Sequence, residues 1–106
     1  SSKISVNYPD YAHKLCKKVS SDNYSRGILI CGSGIGMSMA ANRHKKIRAA
    51  LCNSAISAKL SRLHNNANVI TLGERVIKKT IAEKCVSIFL QTEFVGGRHL
   101  KRIKKI

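Results

Sequence analysis

The residues best placed to do chemistry are Cys31-Gly32-Ser33-Gly34-Ile35-Gly36, a cysteine followed by alternating glycines. An aliphatic run from Gly27 to Ile30 leads into them and a helical pattern follows, so they form a strand-to-helix turn. In open α/β sheets such turns lie at the carboxyl ends of strands, where ligands bind. Glycines let the backbone approach a ligand closely. The free N–H groups that open a helix favour an anion or a developing oxyanion. Cys31 stands where the strand ends, so its thiolate would face that ligand as a nucleophile or a general base. The competing reading is a tight turn with no ligand, headed by a buried strand cysteine. The loop is not a standard motif. Its GxGxG departs from the dinucleotide GxGxxG, no GxxxxGK[ST] is present, and Cys31 and Ile35 stand where a GxSxG elbow around Ser33 needs glycines.

The other reactive side chains are scattered. Cys16, Cys31, Cys52 and Cys85 include no CxxC pair, so a zinc ribbon or thioredoxin-type site is not indicated. Aliphatic neighbours around Cys31, Cys52 and Cys85 point to buried, reduced thiols. Of the histidines, His64 closes a helical stretch, and His13 and His44 read as solvated. The terminal stretch from Arg98 to Ile106 reads, by itself, as a solvated basic tail.

The elements that must position these residues follow from periodicity. Pro9 suits the first turn of a helix to about Ser20, with Ala12, Leu15, Cys16 and Val19 on one face. Met37 to about Arg43 reads as a second helix and Ile47 to Cys52 as a second strand. Ser54 caps a helix from Ala55 to about Leu63. Asn68 to Leu72 is a third strand, closed by Gly73. Val76, Ile77, Thr80, Ile81, Cys85, Ile88 and Phe89 mark one face of a helix ending near Gln91. The strands are continuous aliphatic runs, as parallel strands buried on both faces are. The fold class is therefore α/β, a three-layer α/β/α Rossmann-like sandwich on a parallel sheet. Residues 1–106 form one domain, and 43% hydrophobic residues exclude a disordered polybasic tail.

The segments GILICGSGIGMSMAANR, NYPDYA, IRAALCNSAISAKLSRLHNNANVITLGERVI and FVGGRHLKRI resemble, in the same order, the type B ribose-5-phosphate isomerases. That family also holds the galactose-6-phosphate isomerase subunits. The resemblance implies a cytoplasmic aldose–ketose isomerase of the pentose phosphate pathway that interconverts ribose 5-phosphate and ribulose 5-phosphate. It implies no cofactor and no metal, and a homodimer or tetramer with active sites at the subunit interface. By the same resemblance Cys31 transfers the proton between C1 and C2 through an enediolate, which Gly32, Ser33, Gly34, Ile35 and Gly36 hold. Ser33 stands where many members have Thr. His64 opens the sugar ring, and Asn65, Tyr11 and Arg75 contact substrate, with Tyr8 a weaker counterpart. Arg98 and Arg102 match the phosphate-binding arginines. Their i, i+4 spacing places two forked donors on one helical face, and the resemblance implies that this clamp is completed by a neighbouring subunit.

The chain departs from the family at its start. The family's first strand with its Asp-His pair, the following helix and the second strand have no counterpart, so the domain is expected to be partial at the N-terminus, with a thin sheet. A non-catalytic remnant of the fold is therefore an alternative. A small basic nucleic-acid-binding domain is another, motivated by a net charge of +15. It is disfavoured because the basic residues are spread along the chain and no aromatic platform interleaves them. No apolar run is long enough to span a membrane.

Overall fold

A computed structural model describes residues 8–23, 25–96 and 102–106. The elements run α1 (Tyr8–Ser20), β1 (Gly27–Cys31), α2 (Ile35–Asn42), β2 (Ala49–Leu51), α3 (Ala55–Leu63), β3 (Val69–Gly73) and α4 (Lys79–Gln91). The strands form a parallel sheet in the order β1-β3-β2. Gly27 pairs with Val69 and Cys31 with Gly73, while Ala49 also pairs with Val69. All three strands therefore start at one end of the sheet and finish at the other.

Every residue of central β3 is buried, which explains its unbroken apolar sequence. Val69 joins Leu29 and the apolar sides of α1 and α2: Ala12, Cys16, Val19, Met37, Ala40 and Ala41. On the opposite face Ile70 and Leu72 join Cys52, Ala58, Ala67, Cys85 and Phe89 from the side of α3 and α4. The three-layer sandwich is thus observed. Its helices carry the expected end signals. Asp10 lies in the first turn of α1 and Lys17 and Lys18 in its last, matching the helix dipole. Ser54 caps α3, its hydroxyl accepting from the Ser57 N–H at 3.1 Å while the Ser57 hydroxyl accepts from the Ser54 N–H at 3.2 Å.

Four expectations are corrected. β2 is three residues long, because the Arg48 N–H donates to Asn68 Oδ1 instead of the ladder. Asn42 also borrows both backbone groups of Ala49, at 2.7 and 3.0 Å, and so occupies an otherwise open strand edge. α2 starts at Ile35, not Met37, because Gly34 adopts φ 82° and turns the chain into the helix immediately. α4 excludes Val76 and Ile77, whose N–H groups both fold back onto the Gly73 carbonyl. Finally, His13 and His44 are not simply solvated. Their Nδ1 and Nε2 atoms approach to 2.6 Å, the rings are half-buried, and they join α1 to the turn after α2. No helix of the described residues is long and apolar enough to cross a membrane.

Candidate active site

The glycine loop is built at the carboxyl end of the sheet by three backbone devices. Glu74 and Arg75 donate their N–H groups to the carbonyls of Cys31 and Gly32, at 2.8 and 2.9 Å. This strap ties the loop after β1 to the loop after β3. Beneath it Gly73 must lack a side chain, since a Cβ there would run into the Ser33 backbone. Gly34 is buried and left-handed, and it aims its N–H at Cys31 Sγ at 3.1 Å. The Ser33 hydroxyl accepts the Ile35 N–H at 3.2 Å.

These features line a cavity of about 370 Å³ formed by Cys31, Gly32, Ser33, Gly36, Arg75 and Val76. Arg75 lies alongside Gly32, within van der Waals range of a Cβ built there. A half-exposed thiol, a glycine-lined wall and a guanidinium thus share one small cleft. Cys31 is the only half-exposed thiol. Cys16, Cys52 and Cys85 are buried, and burial pushes all three thiols up. Cys31, expected to be buried like Cys52 and Cys85, is instead half-exposed because it ends its strand at the mouth of the cleft. No group of three or more His, Cys, Asp or Glu among the described residues could hold a metal ion.

The remaining expected residues are distributed differently. Tyr11 is exposed on α1 and does not line this cleft. Tyr8 opens α1. Ile35 is exposed at the start of α2. His64 caps the carboxyl end of α3, and α3 runs back from the end of β2 to the start of β3. His64 and Asn65 therefore sit at the far end of the sheet from Cys31, about 13 Å away along a five-residue strand. There Asn65 shares a second cleft of about 580 Å³ with His44, Arg48, Ile103 and Ile106. Arg102 begins the short terminal helical turn, so it and Asn65 belong to one end of the molecule. Arg98 lies outside the described residues. Of the expected residues, the structure brings Cys31, Gly32, Ser33, Gly36 and Arg75 together and leaves His64 and Asn65 at the other end of the sheet.

Sequence reasoning missed Val76 as part of the cleft and Gly73 as the residue beneath its loop. The glycine closing β3 was visible, but only the parallel register Cys31–Gly73 shows that it lies under the loop. It also missed the separation of Cys31 from His64. The signal was present, because a helix linking parallel strands must run back to the strands' starting end.

The molecule is a parallel α/β/α sandwich with a cysteine-headed glycine loop at its strand ends, the end at which open α/β sheets bind small molecules. A model of the Ribose/Galactose Isomerase family matches residues 1–106, and the chain belongs to that family. The structure of ribose 5-phosphate isomerase B from Anaplasma phagocytophilum superposes with a TM-score of 0.88 and 55% identity, over 95% of this chain and 68% of that one. Ribose-5-phosphate isomerase B of Escherichia coli is 42% identical over 101 residues, which are 95% of this chain and 68% of that protein. D-erythrulose-4-phosphate isomerase of Pectobacterium atrosepticum is 43% identical over 99 residues, 93% of this chain and 65% of that protein.

Proposed function

We propose that this chain acts as an aldose–ketose isomerase on a phosphorylated sugar, interconverting ribose 5-phosphate and ribulose 5-phosphate. The observation that carries the reading is the Gly34 N–H directed at Cys31 Sγ inside a cleft shared with Arg75. The Cys31 thiolate takes the proton from C2 of the open-chain aldose. The C2–H electrons form the C1–C2 double bond, and the C1 carbonyl electrons move onto O1, giving an enediolate. Cys31 returns the proton to C1, while O2 gives up its proton and O1 gains one, leaving the ketose. No net oxidation occurs. The loop N–H groups from Gly32 to Gly36, with Ser33, hold the developing negative charge.

His64 opens the furanose ring, and Asn65 holds its hydroxyls. Arg98 and Arg102 clamp the phosphate as forked donors. Since His64 and Asn65 sit at the opposite end of the sheet from Cys31, these groups reach the cysteine cleft from a second copy of the chain. A homodimer with interface active sites is the simplest such assembly. Tyr11 contacts the sugar across that interface. The reaction takes place in the cytoplasm, in the pentose phosphate pathway, and uses no cofactor.

The similarity to enzymes named for ribose 5-phosphate and for erythrulose 4-phosphate supports a sugar phosphate and leaves the sugar to be chosen by assay. The test is steady-state isomerisation of ribose 5-phosphate, erythrulose 4-phosphate and galactose 6-phosphate. Turnover of ribose 5-phosphate with the highest kcat/KM supports the proposal. No turnover of any of the three, by a folded chain that binds them, identifies a non-catalytic remnant.

A further inference from the structure

A third cavity, of about 240 Å³, is lined by Asn23, Arg26, Arg48, Arg62, Asn66 and Glu93 among others. It lies at the starting end of the sheet, since Arg26 and Arg48 immediately precede β1 and β2. Its contents are unusual: three guanidinium groups face one carboxylate. Arg62 is 4% exposed. Its Nε donates to the Thr92 carbonyl at 2.9 Å, and its Nη1 donates to Asn66 Oδ1 at 2.9 Å and the Ala67 carbonyl at 2.7 Å. Its Nη2 has no partner among the described residues. Arg62 lines the cavity. Arg48 uses Nε on the Asn66 carbonyl at 2.7 Å, and its two terminal nitrogens have no partner among the described residues. Arg26 is more fully engaged, with Nη1 on the carbonyls of Phe89, Leu90 and Thr92 and Nη2 on Glu93 at 2.7 Å.

Buried guanidiniums with spare donors are costly unless an anion meets them. Burial pushes Arg62 below its ordinary value, Arg26 and Arg48 push it the same way, and only Glu93 opposes them. Glu93 is 83% exposed on its side chain and so is a weak counter-charge for the group. The cavity is smaller than the roughly 300–1,000 Å³ of pockets for drug-sized ligands. We propose that Arg26, Arg48 and Arg62 form a binding site for a small doubly charged oxyanion, inorganic phosphate or the phosphate end of a monoester. Forked donors suit its oxygens, and the Asn66 and Asn23 amides border the same space. The site stands at the opposite end of the sheet from the Cys31 cleft of the same chain and does not depend on the isomerase reading.

The test follows the arginine Nε–Hε resonances by NMR, with isothermal titration, as phosphate is added against sodium chloride of matched ionic strength. It is run in an Arg98→Ala/Arg102→Ala background so that the terminal arginines contribute nothing. Saturable shifts at Arg48 and Arg62 are expected with phosphate and not with chloride. Methyl phosphate separates the two sources: equal or tighter binding means a monoester end, and exclusion means inorganic phosphate. Arg48→Gln should weaken binding about tenfold or more. Glu93→Gln removes the competing carboxylate on an exposed side chain and should tighten binding. Resonances that chloride moves as much as phosphate, or affinity unchanged in both variants, would overturn the proposal.

Discussion

Gly34 donates its backbone N–H to the sulfur of Cys31 at 3.1 Å, three residues away across the turn that opens α2. That contact exists because Gly34 is left-handed, and the loop holding it can settle only because Gly73 beneath it has no Cβ. Strand register, a bare backbone and a thiol are therefore one mechanical unit.

Gly73→Ala tests that unit. The new methyl meets the Ser33 backbone, which has no flexible end to move. The variant should lose about 1–3 kcal/mol of stability, in the range of overpacked sites. Isomerase activity should fall further than the folded fraction does, because the loop is displaced from Cys31. Denaturant melts alongside kcat/KM separate the two effects. Full activity per folded molecule would show that the loop position is irrelevant.

The opposed positions of Cys31 and His64 make a second prediction. Cys31→Ala and His64→Ala chains should each be inactive as homodimers. Mixed after unfolding and refolding, they should recover about a quarter of wild-type activity, since half the dimers are mixed and each holds one intact site. Absence of rescue in a sample shown to contain mixed dimers would place both residues' work within a single chain.

Acid should loosen the molecule at the His13–His44 contact. His44 is held below its ordinary value of 6.5 by burial, then by His13 and Lys17. The folded state therefore binds fewer protons than the unfolded state. Stability from this source is complete above that value and is lost as pH falls below it. The melting temperature should drop between about pH 7.5 and about pH 5, and His44→Gln should flatten that drop. An unchanged slope in the variant would assign the acid sensitivity elsewhere.

What the sequence made legible was local or periodic. The Ser54 cap, the glycine loop and the unbroken aliphatic run of β3 each announce themselves within a few residues. What it hid depends on side chains meeting over long separations. Asn42 and Asn68 shorten β2 by taking its backbone groups, and no propensity records that. His13 and His44 lie 31 positions apart, so each looked like an ordinary surface histidine. Arg26, Arg48 and Arg62 are dispersed cations in a very basic chain, and only folding gathers them around one cavity. The candidate site divides the same way. The Cys31 loop was readable as a unit, whereas its distance from His64 belongs to topology.

The central claim is that the Cys31 sulfur moves the substrate proton between C2 and C1. The most direct measurement is solvent deuterium uptake at C2 of ribose 5-phosphate, followed by NMR in D2O. The wild-type chain should exchange that position and produce ribulose 5-phosphate, while Cys31→Ala should slow both by about 10²–10⁴-fold and still bind the sugar phosphate. Exchange and isomerisation at wild-type rates in the Cys31→Ala chain would contradict the account.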